Sequence, residues 1–366
     1  MMERVRVGVI GTSGYAQVSH LPRMASHPQA DLVAVCGRDR DRAIEVGTKY
    51  AIPQVYTDYR QMIEQEGLDA VVISTPDDLH YEMAIAALDA GLHVLCEKPL
   101  ALDRKQAQEM LAKAEDAGVV HMVCFTYRWL PHYRYLRHLL DLGYVGCCYH
   151  CRLEYVGGHA RQGHSGWRFD RQRASGVLGD LGSHMIDLAR WCVGEIVRVS
   201  AHLGNYAERV DSGGASDAAL LAVEFEGGAQ GVIQVSAVAH TGEQGQEQRV
   251  VLYGDAGTLQ VYGSATGAKV RGIRDGEQCW QDLPIPDELW AGVNQEQPFV
   301  PQVLELFCRQ PVGDRQFVDA ILSGARVTPS FLDGLRVQEV LDGAIASHEQ
   351  GRWVQVGGGT ESGADV

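Results

Sequence analysis

No apolar run among the 366 residues is long enough to span a bilayer, and the chain passes from Met1 directly into the strand-like Val5–Ile10 without a cleavable leader pattern. A membrane partner is therefore not expected, and the cytoplasm is the expected compartment. Basic charge is also scarce. Lys and Arg total 32 against 47 Asp and Glu, a formal net charge of −15, and no Lys/Arg-rich run interrupts that balance. Such a surface repels a phosphate backbone, which argues against nucleic acid as a partner. Nine cysteines, an odd number scattered through apolar segments such as 33–36 and 120–124, do not form a disulfide framework. Their one concentration is Cys147, Cys148, His150 and Cys151, which are metal ligands by type. A strand over 144–156 would turn Cys147 and Cys151 to one face and Cys148 and His150 to the other. No second paired cluster follows, so no metal is expected.

What is present is ordinary globular material: 45% hydrophobic and 22% charged residues, in a chain longer than one core commonly supports. Two domains follow, predicted over 1–126 and 127–356, with a disordered tail over 357–366. In the first, near-continuous apolar runs at 4–10, 31–36, 69–74, 93–96 and 119–124 alternate with helical periodicity around Met24, Ala43, 84–88 and 107–114. Strands of that kind are buried on both faces, so the fold class is α/β with an N-terminal Rossmann, doubly wound parallel sheet. Beyond residue 131 a helix over 132–142 leads to strand-like alternation at 195–206, 218–225, 229–237, 248–253 and 258–261. Turn signals stand at Glu226-Gly227-Gly228 and Asp255-Ala256-Gly257. This predicts a C-terminal α+β domain with a large, mostly antiparallel sheet, closed by helices over 300–308, 315–322 and 330–348.

Directly after the first strand comes Gly11-Thr12-Ser13-Gly14-Tyr15-Ala16, which opens a helix. A tight glycine turn lets backbone N–H groups approach a pyrophosphate, and a helix N-terminus adds partial positive charge. Ser13 stands where a second glycine is usual, so its hydroxyl and Gly14 are expected to replace the bare backbone approach. At the end of the second strand, Cys36-Gly37-Arg38-Asp39 puts a small residue and a cation where an acid would hold a ribose 2′-hydroxyl. NADP(H) is favoured on Gly37 and Arg38; Asp39 would serve NAD(H) if the strand ended later.

Two further segments close apolar strands, where ligands sit in open α/β sheets: Ser74-Thr75-Pro76 with His80, and Glu97-Lys98-Pro99. A third begins at Gly176 and runs into a helix on which Asp180, His184, Asp187 and Trp191 fall at i, i+4, i+7 and i+11, opposite Leu181, Met185 and Leu188. Oxidising a secondary alcohol requires a group to take the hydroxyl proton as hydride leaves, and imidazole has the suitable ordinary pKa.

Across nearly its whole length the chain resembles the glucose-fructose oxidoreductase and inositol dehydrogenase family (Gfo/Idh/MocA). The matching features are the glycine turn followed by His20-Leu21-Pro22, Thr75-Pro76 with His80, Glu97-Lys98-Pro99, Tyr127-Arg128-Trp129, Trp167-Arg168-Phe169, Gly179-Asp180 with Gly182 and His184, and Pro329-Ser330-Phe331 with Asp333-Gly334. The resemblance implies a Rossmann domain and an open-faced sheet often used for homodimers or homotetramers. It also implies substrates that are sugars, inositols or their keto forms. Carried over by motif, Lys98, Asp180 and His184 would be the catalytic group: His184 the proton acceptor, Lys98 the cation on the reacting oxygen, Asp180 the holder of substrate hydroxyls. Glu97, Arg128, Trp167 and Arg168 would join the glycine turn, Ser74, Thr75, Pro76 and His80 in binding the cofactor. The competing reading is a non-catalytic NADP-binding regulatory or partner-binding protein on the same fold. Retention of the catalytic trio favours the enzyme. Reduction of a non-sugar carbonyl or imine is a further, less favoured reading.

Overall fold

Short, mostly apolar runs become the strands of a parallel sheet, with the central ones buried on both faces. These are β1 (Val5–Ile10), β2 (Ala30–Cys36), β3 (Gln54–Tyr56), β4 (Ala70–Ile73), β5 (His93–Cys96) and β6 (His121–Val123), in the order β3-β2-β1-β4-β5-β6. Every pairing is parallel. All four residues of β4 are fully buried, as helices on both faces require. The structure, a computed structural model, describes residues 3–161, 166–208 and 214–357. Apart from Gly357, the predicted disordered tail lies outside these residues. Strand β3 escaped the sequence analysis: it is three residues long, at the sheet edge, too short to show a period.

The contacts divide the chain into two compact units, Met1–Thr126 with Ala291–Leu335 and Tyr127–Trp290 with Arg336–Val366. The segment Ala291–Leu335, placed by the sequence analysis in the second domain, thus groups with the first. Its helices, Phe299–Arg309 and Asp314–Ser323, pack on the helix His20–Ala25. Phe307, Phe317 and Leu21 are fully buried there, each contributing roughly 1.5–3 kcal/mol of apolar burial. Helical periodicity identifies such a segment but carries no information about which sheet it covers.

The second unit is built on a nine-stranded sheet: β7 (Cys148–Gly157), β8 (Ile196–Gly204), β9 (Ala218–Phe225), β10 (Gln230–Ser236), β11 (Gln246–Gly254), β12 (Gly257–Ser264), β13 (Gly267–Arg274), β14 (Gln281–Asp282) and β15 (Val354–Gln355). They are ordered β14-β13-β12-β11-β7-β10-β9-β8-β15, and only β7 and β10 pair in parallel. On one face Cys151, Leu153, Leu221, Ile233, Val250, Leu252 and Val261 are buried, while Leu220, Val232 and Tyr253 on the other are exposed. Both predicted hairpins form. Strand β13 was missed for a specific reason. Its inward alternation is broken at Gly272, where a Cβ would come 2.3 Å from the Tyr144 hydroxyl. Tyr144 itself precedes β7, which starts at Cys148 rather than 144.

Candidate active site

At the end of β1 the backbone turns at Gly11 with φ +128°, a conformation that side chains resist. A Cβ at Gly11 would lie 2.1 Å from the Ser74 carbonyl oxygen, so the turn and the end of β4 meet backbone to backbone. This is the point where the strand order reverses, the usual ligand crevice of such sheets. Gly14 faces open space, since a Cβ there would meet nothing within 4 Å. The Ser13 hydroxyl oxygen accepts the Ala16 N–H at 3.2 Å and so caps the helix Gly14–Val18, which leaves its own O–H to donate. That helix is only five residues long and a second one, His20–Ala25, follows it. The macrodipole is correspondingly small, and the turn's own N–H groups are what the site offers a phosphate. Ala16 is fully buried, whereas Tyr15 is substantially exposed.

Strand β2 ends at Cys36, and Gly37 sits against Thr12, whose side chain a Cβ would approach to 2.6 Å. Arg38 is exposed. Asp39 is the N-cap of the helix Arg40–Lys49, its Oδ1 accepting the Arg42 N–H at 3.1 Å.

Three predicted cofactor ligands turn inward. His80 is fully buried, with Nδ1 2.9 Å from the Pro99 carbonyl and Nε2 3.1 Å from the Thr75 carbonyl. It ties the two strand-end loops together rather than reaching a ligand, and burial pushes its pKa down. The Thr75 hydroxyl faces Met83 Sδ at 3.5 Å. Glu97 is buried with Oε1 3.0 Å from His20 Nε2, and its Oε2 accepts the Lys98 N–H at 3.2 Å. Lys98 is half-buried, and its bond to Pro99 is cis. In the second unit Arg128 is buried and forked onto Asp187, Nε donating to Oδ2 at 2.8 Å and Nη2 to Oδ1 at 2.5 Å.

That bidentate pair also revises the expected polar stripe. Asp187 is taken up by Arg128, and its helix, Ser183–Val193, is buried almost all round. Nor does Asp180 stand directly above His184 on an α-helix, because residues Leu178–Gly182 form a π turn. The wider turn adds a residue and rotates Asp180 away from the i+4 column, a distortion that recurs at functional sites. The turn begins at Gly176, φ +64°, where a Cβ would lie 2.3 Å from the Ser216 carbonyl.

Asp180 instead meets two cations by type. Arg168 Nε is 3.3 Å from Oδ1, with the guanidinium 4.3 Å above the Trp167 ring, and His159 Nε2 is 3.6 Å from Oδ2. The buried His184 ring stacks on Tyr127 with centroids 4.3 Å apart and planes 11° off parallel; Tyr155 tilts in at 6.5 Å. Tyr127 Oη accepts from Gln248 Nε2 at 3.2 Å, and the Tyr155 hydroxyl donates to Gln246 Oε1 at 2.7 Å. Burial raises the Tyr155 pKa, so this wall stays neutral. Sequence reasoning missed His159 and the aromatic setting of His184. Tyr155 lies in β7, within the strand expected over 144–156, but cross-strand partners are invisible to a local period.

The oxidoreductase family with an NAD-binding Rossmann fold matches residues 5–125, and the GFO/IDH/MocA C-terminal domain matches residues 133–260. Levoglucosan dehydrogenase of Pseudarthrobacter phenanthrenivorans is 30% identical over 97% of this chain and 99% of its own. The scyllo-inositol 2-dehydrogenase (NAD(+)) of Bacillus subtilis is 31% identical over 71% and 74%. Among solved structures, levoglucosan dehydrogenase in complex with NADH superposes with a TM-score of 0.85 at 26% identity, covering 97% of this chain and 99% of that one.

Proposed function

The chain belongs to the Gfo/Idh/MocA family of NAD-binding oxidoreductases, and from that membership we propose that it oxidises a secondary hydroxyl of a sugar, inositol or related polyol, or reduces the corresponding ketone. NAD(P)-dependent oxidation of a CH–OH group is the chemistry common to its named dehydrogenase relatives. One observation carries the reading: an imidazole, His184, clamped face to face on Tyr127 two residues beyond a π turn that bears Asp180. A base held so firmly keeps its orientation through a proton transfer.

When bound, the nicotinamide supplies the hydride acceptor at the carbinol carbon, or the donor in reverse. His184 takes the hydroxyl proton as that charge develops. Lys98 supplies the ammonium that stabilises the developing oxyanion. Asp180, bracketed by Arg168 and His159, offers its carboxylate to neighbouring hydroxyls. Gly11, Thr12 and Gly14 offer backbone to the pyrophosphate. Gly37 and Arg38 favour NADP(H): packing against Thr12 leaves no room for an acid at position 37, and Asp39 is engaged as a helix cap. The exposed face of the nine-stranded sheet, bearing Leu220, Val232 and Tyr253, serves a homodimer or homotetramer. All nine cysteines are free thiols, which suits a reducing cytoplasm.

The test follows absorbance of the reduced dinucleotide at neutral pH with levoglucosan, D-xylose, scyllo-inositol and their keto forms. Turnover is expected, and His184→Ala should reduce it by roughly 10²–10⁴-fold with dinucleotide binding intact. Full turnover in that variant would remove His184 from the mechanism.

A further inference from the structure

Behind Lys98 lies a chain of buried charges that the reaction itself does not use. His20 is fully buried between two carboxylates: Nδ1 is 2.6 Å from Asp314 Oδ1, and Nε2 is 3.0 Å from Glu97 Oε1. Asp314 is also fully buried and touches Arg23 Nη1 at 3.4 Å, while the Arg23 guanidinium lies 3.9 Å over the Phe307 ring. A neutral imidazole has one N–H, yet acceptor oxygens stand at both ring nitrogens. Unlike the carbonyls around His80, both oxygens belong to carboxylates, and their charge outweighs burial, so the ring is held as an imidazolium donating from both nitrogens. The cluster then balances, two carboxylates against His20 and Arg23, as buried charge must.

We propose that Asp314 and His20 are positioning residues for Lys98: Asp314 keeps His20 doubly protonated, His20 anchors Glu97, and Glu97 holds the Lys98 backbone N–H. The inference rests on the reading of Lys98 as the cation at the reacting oxygen. It connects residues far apart in sequence, since Asp314 begins the helix Asp314–Ser323 and Glu97 directly follows β5. Other groups facing the imidazole are accounted for. Tyr15 meets it edge-on at 5.8 Å between centroids. The Cys124 sulfur, a carboxylate oxygen of Glu97 and a ring nitrogen of His20 all lie within 4.8 Å of one another. Those three are metal ligands by type, but burial and Glu97 raise the Cys124 pKa well above the ordinary range, and both ring nitrogens are engaged. A proton fits this cluster better than a metal does. Burial alone would lower the His20 pKa, but Asp314 and then Glu97 outweigh it and bring it to about 9.

The decisive experiment compares Asp314→Asn and Asp314→Glu in the full-length protein. With levoglucosan, D-xylose or scyllo-inositol as substrate, Asp314→Asn should lower kcat about tenfold and move its alkaline limb down by roughly one pH unit or more, with the Kd for NADPH unchanged within about twofold. Asp314→Glu should recover part of both. Nitrogen-15 NMR of histidine-labelled wild-type protein, assigned with His20→Gln, should show both His20 ring nitrogens protonated at pH 7.5. This measurement requires neither a substrate nor a folded Asp314 variant. A neutral His20 ring, or an Asp314→Asn enzyme with wild-type kcat and pH profile, would overturn the proposal. Lys98→Met separates the two readings. Full turnover in Lys98→Met refutes the role of Lys98, whereas lost turnover there with an unaffected Asp314→Asn refutes only the positioning network.

Discussion

Gly11 and Gly14 lie three residues apart in one turn, yet alanine at each should fail in a different way. At Gly11 the new Cβ meets the Ser74 carbonyl at 2.1 Å and the φ of +128° is strained for any side chain. Strain of that kind costs ~1–3 kcal/mol, and clearing the contact requires β1 and β4 to part by about an ångström, for a total near 3 kcal/mol or more. In a unit of this size the melting temperature should fall by roughly 6–12 °C. Gly14 begins a helix with nothing within 4 Å of its would-be Cβ, so Gly14→Ala should leave stability unchanged or raise it by about 0.4–1 kcal/mol. If the pyrophosphate approaches that backbone, however, the methyl group displaces it. Loss of one charged hydrogen bond, ~1.5–3 kcal/mol, weakens dinucleotide binding by roughly 10- to 150-fold. Thermal melting and calorimetric titration with NADPH and NADH measure both effects. A Gly11→Ala protein that melts at the wild-type temperature would contradict the backbone contact between β1 and β4. A Gly14→Ala protein with full affinity would place the phosphates elsewhere.

Arg38→Ala should raise KM for NADPH by roughly 10- to 150-fold and leave that for NADH nearly unchanged, by the same hydrogen-bond magnitude; equal effects on both would refute NADP(H) as the preferred cofactor. Asp187→Asn leaves the Arg128 charge buried without its carboxylate and should cost ~3–5 kcal/mol in chemical denaturation, more than any exposed ion pair here. The two units should differ in pH response. His20, raised to about 9, stabilises the first fully below pH 6.5 and less as pH climbs through 9. His132, lowered to about 3 by burial, makes the second stable above pH 6.5 and weaker as pH falls toward 3. Hydrogen exchange read separately for each unit checks this, and parallel responses would disprove it.

The sequence made legible whatever repeats locally. β1, β2 and β4–β6 announced themselves as apolar runs, because burial on both faces leaves no polar alternation to confuse the period. The glycine turn was legible because Gly11 must accept a positive φ beneath the next strand. What escaped was set by partners distant in sequence. Gly272 hid β13, since the side chain filling its place is Tyr144. The stripe of Asp180, His184 and Asp187 was spaced as an α-helix demands, but a π turn and the pull of Arg128 gave each residue a different partner. Asp314 left no signal at all: an acid at the start of a helix reads as a helix N-terminus, and only the fold shows that it faces a histidine almost three hundred residues earlier. The same contrast explains why chemistry-bearing residues were easier to name than to place. A motif specifies which atoms are needed, while the second layer that fixes their protonation and direction is drawn from wherever the chain returns, here the segment Ala291–Leu335 packed with the nucleotide-binding unit. Residues of that second layer, Asp314 and His20 foremost, are therefore where variants should alter the pH response of the reaction while leaving dinucleotide affinity in place.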